Sequence, residues 1–106
     1  MWKNKAEEYE RYVAYRLSLQ GFTNIVLTAK TGDFGADILA TDIYGIKWAV
    51  QCKCYSKPVG YKAVEEALSG AHYYGCQRAM VVTNSRYTKS ATVGAKRLGV
   101  ELYTCR

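Results

Sequence analysis

The spacing of apolar positions divides the chain into alternating segments of helix and strand character. Over 5–20 the apolar residues recur every three or four positions, which predicts a helix that ends at Gly21. Short β-branched or alternating runs predict five strands, and two later segments again have helical spacing. The predicted elements are a helix over 5–20, strands over 25–28, 36–40 and 47–53, a helix over 61–74, a strand over 79–83, a helix over 88–98 and a strand over 100–103.

This order, α-β-β-β-α-β-α-β, predicts an α/β domain built on a mixed β-sheet flanked by helices. The second and third strands are joined by a short turn and are expected to pair as an antiparallel hairpin. The β-α-β-α-β remainder predicts parallel neighbours with right-handed crossovers and helices on both faces of the sheet. The strand at 79–83 is apolar throughout and is expected inside the sheet, whereas the strand at 100–103 is expected at its edge.

The length of 106 residues fits a single domain, residues 1–106. No apolar run approaches the roughly 18 residues that span a bilayer, and the first residues lack the apolar segment of a signal peptide. The four cysteines have no secretory context and do not form the two clustered pairs that a zinc site requires. We therefore expect a cytoplasmic protein with free thiols and no membrane partner.

The net charge of +6 is unevenly distributed along the chain. Residues 1–45 hold 5 basic and 6 acidic side chains, a net of −1, so residues 46–106 carry +7. A basic half on a small domain attracts polyanions such as nucleic acid or an acidic surface. The same excess also suits a solvated surface that keeps the protein in solution. Charge alone does not separate these two interpretations.

Three polar residues stand where strand patterning predicts apolar ones. Asp37 opens the second predicted strand, and Gln51 and Lys53 lie two residues apart in the third, so both face the same side of the sheet. Because the two strands form a hairpin, Asp37 can lie across from that pair. Glu10, on the packed side of the first helix, can add a second carboxylate.

Such a group suits the hydrolysis of phosphodiester bonds. Asp37, the backbone carbonyl of Cys52 and Glu10 can hold Mg²⁺, and Lys53 can orient or deprotonate water or neutralise charge on the phosphate. By spacing alone, an Asp–Lys pair that merely ties two strands together explains these residues slightly better, because D-x13-Q-x-K is a loose pattern. Asp33 is a further carboxylate, although a loop-capping role explains it better.

Several segments of the chain are similar to those of a known family. TGDFGADI at 31–38, AVQCKCY at 49–55 and PVG at 58–60 resemble the catalytic domain of Mrr-type restriction endonucleases, which belong to the PD-(D/E)XK nuclease superfamily. The resemblance extends to Tyr9-Glu10, to Gly21-Phe22 and to the segments 82–88 and 99–102. It therefore covers nearly the whole chain, in order and at matching spacing.

The resemblance implies a restriction-endonuclease-like core and a Mg²⁺-dependent DNA endonuclease, with Mn²⁺ as a substitute. In this family pattern Asp37 is the metal-binding aspartate, Lys53 the catalytic lysine and Glu10 the glutamate of the first helix. Ala36 replaces the proline of the wider superfamily and Gln51 replaces its carboxylate. Both replacements are usual in the Mrr-like branch, but the neutral Gln51 weakens a strict two-metal mechanism.

The resemblance also bears on how DNA is recognised. Nothing in 106 residues leaves room for a separate recognition domain, so we expect a homodimer, a partner specificity domain or recognition of DNA structure, unless the chain is an excised catalytic domain. Four basic residues are candidates for phosphate contacts, although each one alone is an ordinary surface charge. They are Lys57, Lys62, Arg86 and Lys89.

Two other functions remain open at this point. A Holliday-junction resolvase or DNA-repair nuclease of the same superfamily is also small and basic, but usually has Pro-Asp and Glu-x-Lys where this chain has Ala36-Asp37 and Gln51-x-Lys53. A non-catalytic DNA-binding module would keep the fold. The retained Asp37, Gln51 and Lys53 argue against the module, because binding alone does not need a buried lysine facing an aspartate.

Overall fold

In the part of the chain that the structure describes, five strands form one mixed sheet with one helix on one face and two on the other. The computed structural model describes residues 5–28 and 34–106. The predicted α/β class and element order are confirmed. The elements are α1 (Lys5–Leu19), β1 (Thr23–Leu27), β2 (Ile38–Thr41), β3 (Lys47–Lys53), α2 (Tyr61–Tyr74), β4 (Arg78–Thr83), α3 (Lys89–Leu98) and β5 (Val100–Thr104).

The strands lie in the sheet in the order in which they occur in the chain. β1, β2 and β3 pair antiparallel, whereas β3, β4 and β5 pair parallel. The hairpin of β2 and β3 and the two parallel crossovers are thus as predicted. β4 is buried along its whole length after Arg78, and β5 lies at the edge, as its sequence indicated.

Several predicted boundaries need correction, most of them by one or two residues, including the start of β4 at Arg78, the start of α3 at Lys89 and the end of β5 at Thr104. β2 begins at Ile38 instead of 36, because the Asp37 carboxylate takes the place of a backbone acceptor for the N–H of Cys52. β1 begins at Thr23 and ends at Leu27, and it contains a register shift beside Asn24, whose φ of 51° only a few side chains tolerate. α1 ends at Leu19, one residue early, in a tight turn that leads to Gly21.

Each face of the sheet has its own hydrophobic core. Tyr9, Val13 and Leu17 of α1 pack on the side of β3 that carries Trp48 and Val50. On the other face α2 and α3 present mainly alanines to the sheet, which allows their backbones to approach it closely. Within the described residues, no helix is both long and apolar enough to cross a membrane.

Candidate active site

The candidate site lies where the backbone enters β2 and where β3 ends. The Asp37 Oδ2 atom accepts a hydrogen bond of 2.8 Å from the N–H of Cys52, and the Asp37 N–H donates to the carbonyl of Val50 at 2.8 Å. Asp37 lies just beyond the Ile38–Val50 pair that ends the β2–β3 pairing, and its two contacts place it beside residues 50–52 of β3. The predicted juxtaposition across the hairpin is therefore present.

The polar side chain of Gln51 is buried beside Asp37. It is 7% exposed, and its Oε1 atom is buried without a hydrogen-bond partner among the described residues. An amide oxygen that is buried without a partner costs free energy on the order of 1–3 kcal/mol. Such an atom beside a carboxylate is suited to contact a bound cation or a water molecule.

Lys53 leaves the same face of β3 and makes an ion pair with α2. Its Nζ atom lies 2.8 Å from Oε1 of Glu66, and the two side chains are only 16% and 24% exposed. The ring of Tyr55 lies below the ammonium group, 5.8 Å from Nζ to the ring centroid. The backbone carbonyl of Lys53 accepts a hydrogen bond of 2.6 Å from the buried hydroxyl of Thr83. Both ends of this lysine are therefore held in place.

These contacts favour the charged form of Lys53. Burial by itself lowers the pKa of the ammonium group, but the adjacent negative charge of Glu66 outweighs that effect, and Tyr55 and Asp37 add to the raising effect. The pKa of Lys53 is therefore raised above its ordinary value. A lysine of this kind carries a positive charge at neutral pH and can neutralise nearby negative charge.

The backbone before Asp37 is fixed by Thr28 and by a pair of glycines. The Thr28 hydroxyl donates to the carbonyl of Ala36 at 2.7 Å, and its N–H donates to the carbonyl of Asp37 at 3.0 Å. Gly35 has a φ of 88°, and a Cβ atom there would lie 2.3 Å from the carbonyl oxygen of Glu66. A Cβ atom on Gly70 would lie 2.5 Å from the carbonyl oxygen of Gly35. Only glycine at both positions lets the 35–37 segment lie directly on α2.

Glu10 belongs to α1, the helix that covers the other face of the sheet. It is 5% exposed, which confirms its position on the packed side of α1. Its neighbour Tyr9 donates a hydrogen bond of 2.6 Å to the carbonyl of Cys105 and lines a cleft with Cys54, just beyond β3. The structure thus brings Asp37, Gln51 and Lys53 together on one face and places Glu10 near the same end of the sheet, on the opposite face.

The donor atoms at this site fit a hard divalent cation that keeps part of its water shell. Among residues 5–28 and 34–106, no three His, Cys, Asp or Glu side chains come together as a possible metal site. The unpartnered amide oxygen of Gln51 and the carboxylate of Asp37 instead offer the mixed oxygen set that Mg²⁺ accepts alongside waters and phosphate oxygens. Asp33, the further carboxylate suggested by the sequence, lies outside the described residues.

The four basic candidates all lie around the same end of the sheet and are exposed. Lys57 and Arg86 lie in neighbouring loops, since the N–H of Val59 donates to the carbonyl of Arg86 at 2.7 Å. Lys89 is the first residue of α3, and Lys62 lines a cleft of about 420 Å³ together with Glu66. They therefore give this end of the sheet four exposed positive charges.

Glu66, Thr28 and Gly70 are residues of the site that the sequence analysis did not identify. A signal for Glu66 was present, because it shares the helical spacing of Ala63 and Gly70 on the buried side of α2. Thr28 and Gly70 gave no comparable signal. Their importance depends on contacts with residues 8 and 35 positions away in the chain.

Comparison with known proteins bears on both the fold and the family. The DNA modification-dependent restriction endonuclease AspBHI shares the fold with a TM-score of 0.75 and 19% sequence identity, over 96% of this chain and 29% of that chain. EndoMS in its apo form shares it with a TM-score of 0.74 and 18% identity, over 100% of this chain and 48% of that chain. A repair endonuclease from Pyrococcus abyssi shares it with a TM-score of 0.70 and 18% identity, over 100% of this chain and 49% of that chain. The chain spans about half or less of the length of each of these proteins. No curated protein matches it.

A family comparison covers almost the whole sequence. The family model Mrr_cat, restriction endonuclease, matches residues 2–105. This range includes Glu10, the segment before β2, the end of β3 and both later crossovers. The chain therefore belongs to the Mrr_cat family of restriction endonucleases, as the motif segments in its sequence predicted.

Proposed function

We propose that this domain is a Mg²⁺-dependent DNA endonuclease that hydrolyses phosphodiester bonds, of the Mrr-like restriction type. The observation that carries the proposal is the convergence of Asp37, Lys53 and the buried, unpartnered amide oxygen of Gln51 on one face of the sheet. A purely structural Asp–Lys pair does not account for that amide oxygen. The Lys53 ammonium instead makes its ion pair with Glu66, so Asp37 is not its principal partner.

The metal would be held by Asp37, the amide oxygen of Gln51 and the backbone carbonyl of Cys52, with Glu10 contributing through water from the other face. When bound, Mg²⁺ supplies Lewis-acid stabilisation of the phosphate and lowers the pKa of a coordinated water. The hydrogen bond from the N–H of Cys52 fixes the orientation of the Asp37 carboxylate. A carboxylate held in a fixed orientation beside Gln51 and Cys52 is a suitable ligand for a divalent metal ion.

Lys53 acts in this proposal as a charged group beside the phosphate. Its raised pKa keeps the ammonium protonated at neutral pH, so it stabilises the negative charge that develops on the phosphate oxygens. The ammonium also orients the attacking water by hydrogen bonding. The neutral Gln51 leaves fewer carboxylates than a two-metal mechanism uses, which favours one metal ion per site.

DNA is the proposed substrate because four exposed basic residues lie at the end of the sheet that carries the site. These residues are Lys57, Lys62, Arg86 and Lys89. EndoMS, which shares the fold, has been solved in complex with double-stranded DNA. The four basic residues would contact phosphates and would not read bases. Sequence or structure selectivity would then come from a second copy of the chain or from a partner specificity domain.

The experiment compares plasmid DNA, methylated plasmid and a four-way junction, each with Mg²⁺, Mn²⁺ or EDTA. We expect nicking or cleavage that requires the divalent metal and that is lost in Asp37→Ala and Lys53→Ala. Selective cleavage of the junction would instead identify a resolvase, and binding without cleavage a DNA-binding module. Cleavage that persists in EDTA or in both variants would refute the mechanism.

A further inference from the structure

The ion pair between Lys53 and Glu66 is the feature of the site that the proposed mechanism leaves unexplained. A flexible lysine at the end of a strand has many rotamers, and holding it in one costs conformational entropy. Here the ammonium lies 2.8 Å from the carboxylate of Glu66 and above the ring of Tyr55. Its position is therefore set by α2 as well as by β3.

Glu66 is itself rigidly placed relative to the metal-binding segment. A Cβ atom on Gly35 would lie only 2.3 Å from the backbone carbonyl oxygen of Glu66. Glu66 therefore packs directly against the segment that leads to Asp37. α2 is confined on this side by the close approach of Gly70 to the same segment. The residue that contacts Lys53 and the segment that carries Asp37 thus form one packed unit.

A contribution to stability is a weak explanation for this pair. Partly buried ion pairs lose much of their attraction to the cost of removing both charges from water. The neighbouring Glu65 shows the ordinary alternative, because it is exposed on the same helix. A carboxylate that faces inward and pairs with Lys53 is better explained by a function in that site.

We propose that Glu66 is a positioning residue that holds the Lys53 ammonium in the orientation required for cleavage. This inference rests on the proposed nuclease function. Glu66 acts through Lys53 and does not bind the metal or the DNA. Its loss therefore lowers the rate of the chemical step and leaves the affinities for metal and DNA unchanged.

The test uses Glu66→Gln, Glu66→Asp and the matched control Glu65→Gln in single-turnover cleavage with excess protein. By analogy with residues that orient catalytic groups, Glu66→Gln is expected to slow cleavage roughly 10- to 100-fold. Glu66→Asp keeps the charge and should recover part of the rate, whereas Glu65→Gln should match the wild type. DNA affinity in EDTA and Mn²⁺ affinity by calorimetry should be the same in all four proteins.

A second comparison asks whether Glu66 acts through the lysine. In the Lys53→Ala background, Glu66→Gln should cause no further loss of rate, because residues that act as one unit are not additive. A further loss there, weakened Mn²⁺ binding by Glu66→Gln, or unfolding of both Glu66 variants would overturn the proposal. So would wild-type or faster cleavage by Glu66→Gln. If the wild type itself does not cleave, the nuclease function fails first.

Discussion

The contact between Gly70 and Gly35 provides the sharpest test of how α2 positions the site. Replacing Gly70 with alanine would place a Cβ atom 2.5 Å from the carbonyl oxygen of Gly35, 2.6 Å from its carbonyl carbon and 2.9 Å from the backbone N of Ala36. All three are backbone atoms, so no side chain can rotate to relieve the overlap. α2 or the segment before β2 has to move.

The expected loss of stability is a difference between two opposing effects. In a helix interior, alanine is favoured over glycine by about 1 kcal/mol. Overpacking in a closely packed region typically costs about 1–3 kcal/mol. Because rigid backbone lies on both sides, we expect the upper part of that range and a net fall of about 1–2 kcal/mol in the free energy of unfolding. For a domain of this size, each kcal/mol lowers the melting temperature by about 4–5 °C.

The assay is thermal unfolding followed by circular dichroism, with Ser69→Ala as the control. Ser69 is the preceding residue of α2 and is exposed, so its replacement should leave the melting temperature unchanged or slightly higher. Gly70→Ala should also cleave DNA more slowly at temperatures where it remains folded, since the displaced Ala36 adjoins Asp37. A Gly70→Ala protein that melts at or above the temperature of Ser69→Ala would refute the packing argument.

Three further predictions concern the rest of the domain. Thr88→Ala removes the hydroxyl that accepts the N–H of Ala91 at the start of α3, and should lower the free energy of unfolding by about 1 kcal/mol in a urea titration; an unchanged midpoint would show that this cap is dispensable. Lys89→Ala should weaken DNA binding and reduce the slope of the logarithm of the binding constant against the logarithm of the salt concentration by about 0.9. The control Lys96→Ala, at the far end of α3, should change neither quantity. Equal effects of the two substitutions would show that the DNA does not bind beside Lys89. The hydrogen bond from the Trp48 indole, helped by two backbone N–H groups, lowers the pKa of Asp42. The Asp42 carboxylate therefore stabilises the fold at pH values above the ordinary pKa of about 4, and this stabilisation is lost as the pH falls through the lower pKa of the folded protein. Asp42→Ala should therefore be less stable than the wild type at pH 7, with the difference narrowing at acidic pH; a constant difference would contradict this.

Much of the fold was predictable because its signals are local. The hairpin follows from two alternating segments joined by a short turn, and the inward direction of Gln51 and Lys53 follows from the period of two in a strand. Helix ends follow from glycines such as Gly99, whose φ of 73° is in the left-handed region. Asp37 and Lys53 were identified for the same reason, since they interrupt an otherwise apolar pattern.

The boundaries that were wrong lie where side chains replace backbone interactions. β2 starts after Asp37 because a carboxylate, and not a carbonyl, accepts the N–H of Cys52. β1 starts at Thr23 because Thr23 still pairs with Thr41, beyond an irregularity where Asn24 adopts a positive φ. Neither event changes the periodicity of apolar residues, so a pattern of hydrophobic and polar positions does not contain it.

The sequence by itself determined the order of the elements, the pairing of the hairpin and the faces of its strands, because these depend on neighbours a few residues apart. Only the tertiary structure decided that Glu66 meets Lys53, that Gly70 lies against Gly35 and that Gln51 keeps an amide oxygen without a partner. These contacts depend on how far α2 slides along the sheet and how closely it approaches. That placement is set by packing among residues distant in the chain, so it emerges only when the whole domain is assembled.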